Sequence, residues 1–251
     1  MIVAFALACW VGVYLCAARR APSWRTARTA CFVAGVLVLA GALLSPLHAA
    51  GEERLAPHMV QHLLLTLVAP VLLVLGRPLA VLLRGGPTEL RRPLARALRS
   101  AGVLTHPVLA LAVFSLVLVG SHAPALYDAA LRHGLVHDLE HLAYLASALL
   151  FWQVVLAPEP HPGAASPLVR MLLVLGAMVP MAVVGVGLLV PASVVYPTYA
   201  AHAGALADQQ LGGQIMWLGG SLALAPAALA AGWWAILREH RRQLVLERSV
   251  R

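Results

Sequence analysis

The chain has 251 residues, of which 61% are hydrophobic and 11% charged, and its mean hydropathy is +0.84. Several apolar runs exceed the ~18 residues that mark a membrane helix, which excludes an ordinary soluble domain. The formal charge of +8 does not indicate nucleic-acid binding. All the basic residues are arginines that lie between the hydrophobic runs, as the positive-inside rule expects of cytoplasmic loops.

The apolar runs predict an all-α polytopic membrane protein, a bundle of about seven transmembrane helices that forms a single domain over residues 1–251. The first run lacks a basic leader and a small-residue cleavage site, so we expect it to be retained. Pro70 is expected to kink the third span, because a proline inside a helix removes a backbone donor. The predicted spans are 2–18, 29–46, 57–76, 103–121, 134–157, 168–190 and 209–237.

The arginines predict the orientation of the bundle. They cluster after the first span and in the C-terminal tail, whereas segment 191–208 contains none. This asymmetry predicts an N-terminus outside and a C-terminus in the cytoplasm. Segment 88–100 alternates leucines with arginines, a basic amphipathic pattern suited either to lying on anionic membrane lipid or to forming a solvated loop helix.

The stretch from His122 to His141 is the densest run of ionisable side chains. On a continuous helix, His133, His137 and His141 would share one face with Glu140 beside them. Such a face can hold a metal ion or relay protons.

Two histidine pairs have the same helical spacing. His58 and His62 lie in the first turns of span three, about 6 Å apart by helical rise, and His137 and His141 repeat that spacing on span five. This is the spacing for two imidazoles on one metal. If the two helices face each other, four imidazoles converge near the predicted outer surface, with His122, Glu140 and Asp208 available as further ligands or as groups that orient them.

Four motifs in order resemble the multi-span CtaG family of cytochrome c oxidase (caa3-type) assembly factors. They are H-M-V-Q-H-L-L-L-T-L-V-A-P at 58–70, H-x-P-x-L-Y-D-x-A-L at 122–131, H-D-L-E-H-L at 137–142, and L-A-D-Q-Q-L-G-G-x-I-M-W at 206–217. The resemblance implies a bacterial plasma-membrane protein that handles copper for haem-copper oxidase subunits, as a metallochaperone rather than an enzyme. The metal-site positions that it implies are His58, His62, His122, His137, Glu140, His141 and Asp208.

The ligand types leave alternatives open. Imidazole suits zinc, copper, iron and nickel, so these residues do not choose between copper and zinc. The run from His137 to His141 also reads as H-x-x-E-H, the pattern of a zinc-dependent membrane hydrolase in which the glutamate activates water. Haem ligation by facing histidines is a third interpretation, which no other feature of the sequence supports.

Overall fold

The computed structural model describes residues 2–100, 102, 105–156 and 165–249. Within these residues the protein is helical and contains no strand. The helices before the middle of the chain are α1 (Ile2–Arg20), α2 (Thr26–Leu44), α3 (Pro46–Glu53), α4 (Leu55–Leu63), α5 (Ala69–Gly76), α6 (Pro78–Gly85) and α7 (Thr88–Ser100). Those that follow are α8 (Pro107–Ser121), α9 (Pro124–Arg132), α10 (Gly134–Leu156), α11 (Pro167–Leu189), α12 (Ala205–Gln214) and α13 (Gly220–Ser249).

Six helical stretches in the described part of the chain are long and apolar enough to cross a membrane. Four of them are α1, α2, α10 and α11, and the other two, Leu55–Gly85 and Ala205–His240, each join several of the shorter helices. The number rises to seven if α8 and α9 together form one bent span. Those two helices meet at 72°. At 1.5 Å per residue, the 15 residues of α8 are too short to cross a hydrocarbon core of about 30 Å. The helical class and the approximate span count are therefore confirmed, while the orientation of the termini stays a prediction.

Most predicted spans agree with helices to within a few residues, and the deviations have local causes. The segment between predicted spans two and three is mostly the short helix α3, which begins at Pro46 with the Ser45 hydroxyl accepting from the backbone N–H of Leu47. The segment between predicted spans four and five contains helix α9. The predicted start of span four at Val103 and the predicted end of span five at Ala157 lie outside the described residues.

The third span contains a π-helical segment, Leu64–Val68, between α4 and α5. Pro70 has no N–H to donate to the carbonyl four residues earlier, which is that of Thr66. The indole Nε1 of Trp152 on α10 donates to this oxygen instead, at 2.9 Å. Next to Pro70, where a kink is expected, the helix widens into this π-helical turn, and the hydrogen bond from Trp152 joins the turn to α10.

Glycines allow the last two spans to approach closely. A Cβ on Gly185 of α11 would lie 2.6 Å from the carbonyl oxygen of Gly213 on α12, and a Cβ on Gly213 would lie 2.6 Å from that of Gly185. Gly212 faces the other way, toward Leu55 of α4. Because these positions lack side chains, α12 packs tightly between α11 and α4.

Candidate metal centre

Five imidazoles and one carboxylate meet at the end of the bundle where α4 and α10 face each other. We call them the histidine cluster: His58, His62, His122, His137, Glu140 and His141. All six side chains are buried, and His58 and His62 are completely so. The ring centres of His58 and His137 lie 5.3 Å apart. The expectation that the two histidine pairs converge is therefore confirmed.

Three overlapping groups bring possible ligand atoms within 4.8 Å of one another. They are the shallow group of His48, Glu52 and His137, the middle group of His58, His137 and His141, and the deep group of His58, His62 and Glu140. Two ligands at about 2 Å from one ion lie at most about 4 Å apart, so binding requires the side chains to close by about an ångström or less.

The cluster is rich in buried polar atoms that have no hydrogen-bond partner among the described protein atoms. They include the Nε2 atoms of His58, His122, His137 and His141, both ring nitrogens of His62 and both carboxyl oxygens of Glu140. Each such atom costs about 1–3 kcal/mol when it stays unpaired. Most of these orphaned atoms can present a lone pair, so their concentration in one place fits a cation as the missing partner.

Backbone carbonyls hold two of the rings in the form that binds a metal. His58 donates from Nδ1 to the Gly51 oxygen at 3.1 Å, and His122 donates from Nδ1 to the Leu118 oxygen at 2.7 Å. A neutral ring that donates from Nδ1 carries its free lone pair on Nε2. In both residues Nε2 is the buried atom without a partner, so these hydrogen bonds select the tautomer that metal binding needs.

Aromatic residues close the site above and beside the rings. Tyr199, in the loop between α11 and α12, donates its hydroxyl to the Gly51 oxygen at 2.7 Å, and Tyr196 in the same loop donates to the His122 oxygen at 3.0 Å. Burial raises the pKa of both tyrosines, so their hydroxyls stay protonated and able to donate. Tyr127 stacks on Tyr196 with ring centres 4.0 Å apart. These two hydrogen bonds hold the loop between α11 and α12 against the histidine cluster.

The ring of Tyr144 supports the deep end of the cluster. Its centre lies 4.4 Å from that of His62, and its hydroxyl lies 3.2 Å from Nδ1 of His122 and forms a short hydrogen bond with Ser121. The neighbouring imidazole of His122 lies 5.4 Å from His62 between ring centres. His122 therefore belongs to the cluster, although it is not part of a three-residue ligand group.

Asp208 is placed elsewhere. Its Oδ2 accepts from the backbone N–H groups of Leu55 at 2.7 Å and Ala56 at 3.3 Å, the first residues of α4. A carboxylate at this position satisfies helix N–H groups and offsets the positive end of the helix dipole. Asp208 thus anchors the helix that carries His58 and His62, and it is not in any of the three ligand groups.

Two further differences separate the structure from the sequence prediction. His133 is exposed, and it has an extended backbone at the end of α9 (φ −131°), because the chain bends before α10 begins at Gly134. It does not share a helical face with His137. Sequence reasoning also missed His48 and Glu52 as a candidate metal pair, although their i, i+4 spacing on α3 is the same signal that identified the other two pairs.

Comparisons with known proteins agree with the four motifs. A family model described as cytochrome c oxidase caa3 assembly factor (Caa3_CtaG) matches residues 9–237. An uncharacterized protein of Mycobacterium bovis is 28% identical over 214 residues, covering 79% of this chain and 32% of the relative. One from Mycobacterium leprae is 27% identical over 237 residues, covering 86% of this chain and 35% of the relative. The chain thus spans about a third of the length of these relatives, and no solved structure matches it.

Proposed function

The chain belongs to the family of cytochrome c oxidase caa3 assembly factors, and we propose that it binds copper in the histidine cluster and helps deliver the ion to a haem-copper oxidase. The observation that carries this proposal is the convergence of orphaned imidazole and carboxyl atoms in two overlapping buried groups, the middle group and the deep group. We further propose that the protein forms one domain in the bacterial plasma membrane, with the cluster at the outer end.

The chemistry of the cluster supports a carrier. Imidazole is a good copper ligand, and the Glu140 carboxyl can give up its proton when it binds a cation, which would partly offset the cost of holding that cation inside the bundle. The cluster lies among the first turns of α4 and α10, close to the ends of both helices. A carrier must give up its ion, and a site at this depth leaves a short path for release.

Copper titration of the detergent-purified protein tests the proposal. We expect the wild-type protein to hold copper against a competing chelator, and we expect His58→Ala to weaken the affinity by at least about 10- to 100-fold, because His58 belongs to both the middle and the deep group. His133→Ala is the matched control, since His133 is exposed and outside every ligand group. A wild-type protein that retains no copper, or a His58→Ala variant that binds as well as the control, would refute the proposal.

A zinc-dependent hydrolase is the second candidate, and one observation favours it. The middle group consists of three imidazoles, the number of protein ligands that catalytic zinc sites keep beside an open position. Its two histidines from α10 belong to the H-x-x-E-H pattern. Glu140, however, joins His58 and His62 in the deep group, and its role separates the two candidates.

A further inference from the structure

We propose that the shallow group of His48, Glu52 and His137 is the portal through which a metal ion reaches and leaves the buried histidine cluster. This inference rests on the proposed metal-carrying function and adds a route to it. The ion would pass from the shallow group to the middle group and then to the deep group.

The three groups are linked by shared residues. His137 belongs to both the shallow and the middle group, and His58 belongs to both the middle and the deep group. The ring centres of His48 and His137 lie 5.5 Å apart, and those of His137 and His58 lie 5.3 Å apart. An ion can therefore move inward by exchanging ligands while one imidazole stays bound at each step.

Exposure falls steadily along this route. The side chains of Glu52 and His48 are 60% and 33% exposed, whereas His137 is 6% exposed and His58 and His62 are not exposed at all. The carboxylate of Glu52 is thus the group that an approaching cation meets first. Only the shallow group joins solvent to the cluster through residues that can themselves bind a metal, among the groups of described residues.

The hydrogen bonds of His48 make the shallow group a weak site. The amide nitrogen of Gln61 donates to the Ala42 oxygen at 2.9 Å, which fixes the orientation of the amide, and its second N–H points to Nδ1 of His48 at 3.1 Å. The Nδ1 lone pair is therefore engaged. In the neutral ring the proton then resides on Nε2, which faces Glu52 at 3.9 Å.

Neither nitrogen of His48 offers a free lone pair without rearrangement of these contacts. His58 is the opposite case, since its hydrogen bond to Gly51 leaves Nε2 free for a metal. The shallow group would therefore pass the ion on, whereas the buried groups would retain it. A weak site that precedes a strong one speeds transfer without trapping the ion.

This arrangement predicts a kinetic effect without an equilibrium effect. Removal of a portal raises the barrier between the free and bound states equally in both directions, so the rates of loading and extraction fall by the same factor. The affinity of the buried cluster stays unchanged. Loss of a residue that holds the ion in the stable complex would instead speed extraction and weaken the affinity.

The experiment measures copper(I) loading and extraction on the full-length protein in detergent under reducing conditions, with extraction by an excess of a copper(I) chelator. For His48→Ala and Glu52→Gln we expect both rates to fall by about tenfold and the dissociation constant to stay within about twofold of wild type. Glu53→Gln is the matched control, because Glu53 is an exposed neighbour outside the shallow group, and it should behave as wild type.

Two outcomes would overturn the portal while leaving the proposed function intact. They are unchanged rates in both variants, and a weakened affinity with faster extraction, which would make the shallow group part of the stable site. A wild-type protein that binds no copper(I) would instead refute the carrier function itself. The two failures are therefore distinguishable.

Discussion

The indole Nε1 of Trp152 donates a hydrogen bond of 2.9 Å to the backbone oxygen of Thr66, and this contact joins the two spans that carry the histidine pairs. Thr66 lies one turn after His62 on the third span, and Trp152 lies three turns after His141 on α10. Pro70 cannot donate to this oxygen, because it has no backbone N–H. The two spans are thus joined about one helical turn beyond His62.

Replacement of Trp152 by phenylalanine tests this dependence. Trp152→Phe removes this buried hydrogen bond, so we expect the free energy of unfolding to fall by about 1–3 kcal/mol. Copper affinity should weaken as well, because the two spans that carry the histidine pairs lose a hydrogen bond that joins them. Denaturation in detergent and chelator competition measure the two effects. Trp233→Phe, at a 61% exposed tryptophan, should change neither.

The close contact between α11 and α12 gives a second prediction. A Cβ on Gly213 would lie 2.6 Å from the Gly185 oxygen and 3.0 Å from the Leu189 nitrogen. Gly213→Ala therefore forces the helices apart, and we expect a loss of about 1–3 kcal/mol in thermal or chemical denaturation. Gly187→Ala is the control, since a Cβ there would meet nothing within 4 Å. Equal stability of the two variants would contradict the packing described here.

Glu140 separates the carrier from the hydrolase. In a carrier the carboxylate binds the ion or orients an imidazole, so Glu140→Gln should weaken copper affinity by about 10- to 100-fold. In a hydrolase it is the general base, and the same variant should keep zinc and lose turnover. Asp138→Asn is the control, because Asp138 is exposed on the same helix.

The cellular counterpart of this test uses oxidase activity. In cells that lack the native gene, the carrier function predicts that Glu140→Gln and His62→Ala both lower cytochrome c oxidase activity. Added copper should partly restore the activity, because a weakened site still fills when more of the ion is available. Copper handling would be contradicted if protein purified from copper-replete cells held one equivalent of zinc and if the deletion strain kept normal oxidase activity.

The arginine asymmetry predicts the orientation in the membrane. Single cysteines at His202 and Arg96, introduced after replacement of Cys9, Cys16 and Cys31, should react with an impermeant thiol reagent from opposite sides. We expect position 202 to be labelled from outside and position 96 from the cytoplasm. Both positions suit labelling because they are not buried. Labelling of position 202 only from the cytoplasmic side would contradict the proposal that the histidine cluster faces outward.

Local pattern in the sequence predicted much of the fold. Apolar runs long enough to cross a bilayer placed the helices to within a few residues, because lipid leaves the backbone of a single span little choice but to form a helix. The i, i+4 spacing put His58 beside His62 and His137 beside His141, since helical periodicity alone fixes neighbours within one helix. The family motifs also followed from the sequence.

Contacts between distant segments decided the rest. The sequence placed Asp208 near the histidines, but tertiary packing uses it to cap α4, and a chain bend removes His133 from the face of α10. The short helix α3 brings His48 and Glu52 to His137, and Trp152 on α10 bonds to the π-helical segment of the third span. None of these follows from helical periodicity, because the spacing within a helix is local whereas the meeting of two helices depends on close packing, turns and buried hydrogen bonds contributed by residues far apart in the chain.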